Sequence, residues 1–300
     1  MSELTAVPAA APAIEASPTM PPFDWRALLA RPEARVAIAL FAALCLAFAP
    51  FMRVLWGLWF EADSLYSHGP LIPLMAAYVV YERWSKLREI PVRGATWVIV
   101  PIALVMYVTW FASRTIMPGV LSSLFMVLAA LSVLFVGGWR WFLATIGPIL
   151  FLVFALPLWS GIVDRVTQPL QVLSTDMAVR MLDICGLHPL QTDATTVYLD
   201  HFQFDVAAAC SGAKTTLALL AFAVFFILLN RGRWYSSVAL LVILLPFSLA
   251  INGLRIALIG IVGNSFGNAA GLAFHDYGAY GVLIVCFLLL GQITRLLGFK

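Results

Sequence analysis

Charged side chains are scarce in this sequence: Asp, Glu, Lys and Arg make up 11% of its 300 residues, against about 25% in a soluble domain. The scarcity excludes a water-soluble fold, because 62% of the chain is hydrophobic, more than one soluble core of this size could hide. Cysteine is sparse too. Cys45, Cys185, Cys210 and Cys286 form no CxxC pair and no other metal-type spacing, which argues against a disulfide framework or a structural zinc site; no metal and no other cofactor is expected. The chain has no HExxH, no Walker sequence and no pair of intramembrane aspartates. Metalloprotease, nucleotide-driven pump and aspartyl intramembrane protease therefore all lack their usual signatures.

What the sequence has is a series of apolar runs separated by short charged punctuation. They approach or exceed the roughly 17 to 25 residues that span a bilayer, at 36–52, 64–81, 95–113, 115–139, 141–163, 206–229, 234–251 and 277–294. The fold class predicted is an all-α polytopic membrane protein of about eight transmembrane helices. Residues 1–33, rich in Ala and Pro at their start and without the h-region of a cleaved signal peptide, read as a disordered cytoplasmic tail. Residues 34–300 read as a single transmembrane domain.

Orientation follows from the basic residues, since cytoplasmic loops are enriched in Lys and Arg. With the N-terminus inside, cytoplasmic segments collect Arg83, Lys86, Arg88, Arg93, Arg140, Arg231, Arg233 and Arg295, while most acids fall outside. Both termini are predicted cytoplasmic. One outer segment, from about Asp164 to Asp205, is long enough to have structure of its own. Val166, Leu170, Leu173, Met177, Met181 and Ile184 recur at helical spacing up to Gly186, which predicts an amphipathic helix on the outer leaflet. TTVYLDHFQFDV then alternates apolar and polar residues around Asp200 and His201, which predicts a small β-hairpin.

Three residues share a predicted depth. Cys210 lies 21 residues outward from Arg231, Arg255 lies 21 residues from Trp234, and His275 lies 20 residues back from Arg295. At about 1.5 Å per residue each count is roughly 30 Å, the thickness of the hydrocarbon core. Cys210, in AAACSGAK, stands where a helix begins, with Lys214 four residues on and so one turn deeper on the same face; both features favour a thiolate. The alternative is a small buried hydrophobe, as Cys45 and Cys286 are read, with Lys214 snorkelling to the interface. Arg255 is an arginine among apolar residues, a functional candidate by default, suited to an oxyanion or a carboxylate. Its structural alternative is an ion pair with Asp276 or a helix-end cap. His275 can carry a proton near neutral pH, or simply hydrogen-bond at the interface. His68, in YSHG, either lines the site or caps its helix, and His188 and His201 are read as surface residues.

In combination these residues resemble the exosortase/archaeosortase family of membrane cysteine transpeptidase-like enzymes. The resemblance rests on YSHGPLIPL, ALPLWSGIVDRVTQPLQVLSTDMAVRMLDICG, FDVAAACSGAKTTLALLAF, INGLRIALIGI and FHDYGAYG, and it covers nearly the whole membrane portion. It implies Cys210 as nucleophile, Arg255 as the invariant arginine and His275 as the third catalytic residue, with Ser211, Lys214, Asn252, Asp276 and His68 binding substrate or supporting the site. It further implies a protease or transpeptidase of the bacterial inner membrane, working at the periplasmic face on membrane-anchored proteins with C-terminal sorting tails of the PEP-CTERM type, in bacteria that make extracellular polysaccharide. The expected partners are those proteins and the lipid bilayer, not nucleic acid. Ala213-Lys214 after Cys-Ser-Gly departs from the bulkier residue and frequent Arg of many relatives. The alternative from another class is a non-catalytic membrane component of polysaccharide assembly or export.

Overall fold

Apolar runs of this kind can satisfy their backbone in lipid only by closing hydrogen bonds within each segment, and the computed structural model is accordingly mostly helical. It describes residues 30–61, 64–114, 117–230 and 234–299; nearly all of the predicted tail lies outside them. In chain order the helices are α1 (Pro32–Ala47), α2 (Ala49–Phe60), α3 (Leu71–Glu82), the single turn α4 (Trp84–Leu87), α5 (Ile99–Ala112), α6 (Pro118–Gly137), α7 (Trp139–Phe151), α8 (Ser160–Ile184), α9 (Ala213–Leu229), α10 (Trp234–Phe266) and α11 (Asn268–Leu296). Between α8 and α9 lie three short strands, β1 (Leu190–Gln191), β2 (Thr196–Tyr198) and β3 (Gln203–Asp205).

Two described helices, α6 and α10, are long and apolar enough to cross a bilayer alone, and up to four spans result if each bent pair counts as one. Several boundaries differ from the sequence reading. The run 36–52 is not one helix: α1 and α2 meet at buried Phe48 with a bend of 71°, where Pro50 withholds the N–H that would continue the ladder. The run 141–163 likewise breaks. α7 tightens into a 3-10 turn over Leu152–Ala155, Pro157 follows, and α8 departs at 60° already from Ser160.

The larger difference lies in α10. The apolar run read from the sequence ends at residue 251, yet the helix continues without a break to Phe266, 33 residues in all, or about 50 Å. Glycine serves there as a packing surface. A Cβ at 253 would stand 2.8 Å from the Met177 Cβ, and one at 260 would stand 3.2 Å from the Leu182 side chain, so α8 lies closely along the C-terminal half of α10. This approach also selects the face that α8 buries. Ser174, Thr175, Ala178 and Leu182 point inward, whereas Val166, Leu173 and Ile184, predicted to share one apolar face, are exposed. The helix is amphipathic as expected, but the buried face is made by Ser174, Thr175, Ala178 and Leu182, while Val166, Leu173 and Ile184 face outward.

The predicted hairpin is present as β2 and β3, with Val197 opposite Phe204 and the turn closed by Leu199 N–H donating to the Phe202 carbonyl at 2.8 Å. β1 adds a third antiparallel strand. His201, at the hairpin tip, is exposed as expected, and its backbone N–H donates to Asn264 Oδ1 at 2.8 Å, which ties the sheet to the C-terminal end of α10. His188 is also exposed. Cys286 is fully buried, as a small hydrophobe should be, but Cys45 is exposed on α1.

Candidate active site

After β3 the chain reaches a buried cluster made by Ala178, Leu182, Val197, Val206, Ile256 and Ala257, and Cys210 belongs to it. Cys210 does not lie in a helix. It ends a 3-10 turn, Ala208–Cys210, closed by its own N–H on the Ala207 carbonyl at 2.8 Å. Gly212 then takes a left-handed conformation, φ 86°, and α9 begins at Ala213. Neighbouring helices pin the turn. Gln171 donates its side-chain amide to the Val206 carbonyl, the Ser174 hydroxyl donates to the Ser211 carbonyl at 3.4 Å, and Asn252 Nδ2 donates to the Cys210 carbonyl at 2.9 Å. Ser211 is buried with its hydroxyl accepting from the Ala213 N–H at 3.4 Å, so it supports the turn rather than facing a substrate. Gln171 and Ser174 were not singled out from the sequence. Their signal was a polar stripe at positions 171, 174 and 175 of an otherwise amphipathic helix.

Gly212 is constrained twice. Its left-handed backbone costs about 1–2 kcal/mol for any L side chain, and an added Cβ would lie 2.8 Å from the Asn252 Cγ. Gly212→Ala is therefore expected to lower the melting temperature and to change the rate at which Cys210 is alkylated by iodoacetamide, measured with the other three cysteines replaced. An unaltered rate would mean that the turn does not aim the thiol.

The thiol is aimed at α11. Cys210 Sγ lies 3.0 Å from His275 Nε2, and His275 Nδ1 lies 3.0 Å from Asp276 Oδ1. An ionised carboxylate can only accept, so Nδ1 carries the ring proton and Nε2 presents its lone pair to the thiol. His275 is half-exposed and Asp276 more so. Arg255, one turn beyond Asn252 on α10, donates from a terminal nitrogen to the His275 carbonyl at 3.3 Å. No ion pair joins Arg255 to Asp276: the carboxylate faces the imidazole instead. The Arg255 Nε is buried with no hydrogen-bond partner among the described residues. α10 thus clamps both halves of the site, with Asn252 on the cysteine turn and Arg255 on the histidine helix.

Lys214 stands differently from the sequence reading. Because the helix starts only at Ala213, Cys210 and Lys214 do not share a helical face. Lys214 is within electrostatic reach of His68, which sits in the turn before α3. Neither ring nitrogen of His68 makes a hydrogen bond of normal geometry. His68 is partly buried beside the start of α3, and no hydrogen bond links it to Cys210.

The cysteine turn, the α10 clamp and the α11 histidine all lie within residues 56–291, the stretch matched by a family model described as transmembrane exosortase. No curated protein and no solved structure matches the chain.

Proposed function

The chain belongs to the transmembrane exosortase family, and from that premise we propose that it is a membrane cysteine protease or transpeptidase. It cleaves the C-terminal sorting tails of secreted proteins at the outer face of the bacterial inner membrane, both termini being cytoplasmic. The tails are of the PEP-CTERM type, a short Pro-Glu-Pro motif followed by a membrane span and a basic cluster, in a cell that exports polysaccharide. One observation carries the reading above all: the 3.0 Å contact between Cys210 Sγ and His275 Nε2.

The chemistry follows from that contact. His275 Nε2 takes the thiol proton, and the thiolate adds to the carbonyl carbon of the scissile peptide bond. Negative charge gathers on the carbonyl oxygen, where the Arg255 guanidinium supplies fixed donors. The imidazolium, held in orientation by Asp276, returns its proton to the departing amine as the C–N bond breaks, which leaves a thioester on Cys210. Water, or an acceptor amine or hydroxyl, then gives a proton to His275 and attacks the thioester, and the thiol is regenerated. Lys214 and His68, at the head of the adjacent helices, border the path by which a tail reaches the thiol.

The thioester is the point to test. Purified protein in lipid nanodiscs, mixed with a tail peptide and quenched in acid, is expected to gain the mass of the acyl fragment on Cys210, and hydroxylamine should remove it. Cleavage without an adduct would rule out the covalent route. Neither cleavage nor adduct would favour a non-catalytic part in polysaccharide assembly or export.

A further inference from the structure

At the end of the bundle away from Cys210, the segment before α5 runs back along the last turn of α6. Arg93 N–H donates to the Gly137 carbonyl at 3.3 Å and Ala95 N–H to the Phe135 carbonyl at 3.1 Å, while Trp141 Nε1 donates to the Ile90 carbonyl at 3.1 Å. These bonds satisfy carbonyls that a helix end leaves open. The approach requires glycine at 138, which has φ 79° and whose Cβ would stand 1.9 Å from the Arg93 carbonyl oxygen. Between this braced segment and the start of α7 lies a groove of about 410 Å³, bordered by Arg93, Thr96, Trp97, Trp139 and Arg140.

Two features of the groove call for an occupant. Both arginines are exposed, and neither is paired with a carboxylate among the described residues. The groove also opens onto an apolar track. Trp97, in the 3-10 turn Thr96–Val98 just before α5, and Val100, Leu104, Tyr107 and Phe111 on α5 follow one another at spacings of three and four, and together with Trp139 they are 61–69% exposed. Fourteen residues of helix cover about 21 Å, more than the roughly 15 Å of hydrocarbon in one leaflet. Exposed tryptophans beside two arginines without carboxylate partners, leading into such a track, match an amphiphile with a negative head.

We infer that this groove binds an anionic phospholipid, its phosphate held by Arg93 and Arg140 and one acyl chain lying along the α5 face. A free phosphate would engage the arginines but leave the track from Trp97 to Phe111 bare. The inference is independent of the chemistry at Cys210.

The test uses the full-length protein in detergent, equilibrated with equal amounts of phosphatidylglycerol and phosphatidylcholine of matched chains, with retained lipid counted by native mass spectrometry. The wild-type protein is expected to retain phosphatidylglycerol in preference. The preference should fall about fivefold for each of Arg93→Gln and Arg140→Gln, and should survive Arg93→Lys with Arg140→Lys, which keeps the charge. Circular dichroism should stay unchanged in all of these variants, since the altered side chains are exposed. Equal retention of the two lipids by the wild type, or an undiminished preference in the double Gln variant, would overturn the inference. So would displacement of phosphatidylglycerol by inorganic phosphate, but not by chloride of equal ionic strength, because that would make the groove a site for free anions.

Discussion

Cys210→Ala is expected to abolish processing of a tailed substrate while the protein remains folded, inserted and normally abundant. The structural loss is small because the side chain does not hold its own turn together. That task falls to the backbone: the Cys210 carbonyl accepts from Asn252 Nδ2 at 2.9 Å and the Cys210 N–H reaches the Ala207 carbonyl, both of which survive the substitution. Deleting one buried sulfur should cost on the order of 1 kcal/mol. The chemical loss is of another order, since without the thiol no thioester can form, and loss of the nucleophile in a comparable triad costs about a million-fold. Cys210→Ser keeps the shape but offers His275 a hydroxyl, which is far harder to ionise, and it should be nearly as inactive. The measurement is an immunoblot of a tagged tail substrate beside enzyme levels in the membrane fraction. Cys45→Ala and Cys286→Ala serve as active controls, the first at an exposed position and the second in the core. Continued shortening of the substrate by Cys210→Ala at normal abundance would make the cysteine structural and remove the covalent mechanism.

That Cys210, Arg255 and His275 come together was legible in the sequence, while the ends of helices were not. Counting back from Arg231, Trp234 and Arg295 puts Cys210, Arg255 and His275 at one predicted level, and the structure brings Cys210 and Arg255 each into contact with His275. Yet Arg255 and His275 do not stand at helix ends. α10 runs on to Phe266 and α11 starts at Asn268, so both side chains sit partway along helices. Asn252 and Gly253 lie just past the end of the apolar run read from the sequence. Here the glycine admits α8 and the asparagine spends its amide on a carbonyl 42 residues away, which a local pattern cannot reveal. The same holds for α8. Its large apolar residues form the stronger periodic signal, but the protein packs through Ser174, Thr175 and Ala178 because only small side chains allow the close approach. The hairpin was legible since its alternation is local. The i to i+4 link from Cys210 to Lys214 failed at Gly212, whose left-handed turn ends the helical register before it reaches the cysteine.

Arg255→Lys should lose most of the activity although it keeps the charge. In the structure the guanidinium has two tasks at once. One terminal nitrogen donates to the His275 carbonyl at 3.3 Å, which fixes α11 against α10. The buried Nε has no partner among the described residues and remains a donor to be completed when substrate is in place. A planar fork can hold both positions together, whereas an ammonium on a flexible stem is a point charge that can serve one of them. Removing one oxyanion donor typically costs 10²–10³-fold in kcat, and Arg255→Lys should fall in about that range. Arg255→Ala should be worse still, since it leaves the His275 carbonyl without its donor and exposes the site to water. The pattern of constants separates this role from mere structure: kcat on a tail peptide should fall with KM nearly unchanged, because the donor acts on charge that develops only in the transition state. Alkylation of Cys210 by iodoacetamide should keep its pH dependence in Arg255→Lys, since the contact of the thiol with His275 Nε2 is retained. If the Lys variant processes substrate at the wild-type rate while Arg255→Ala is dead, Arg255 is a counter-ion for the substrate and the oxyanion must be held by other donors. A KM that rises with kcat intact would say the same of its binding role, and would move the search for the oxyanion site to the backbone N–H groups of the turn from Cys210 to Ala213.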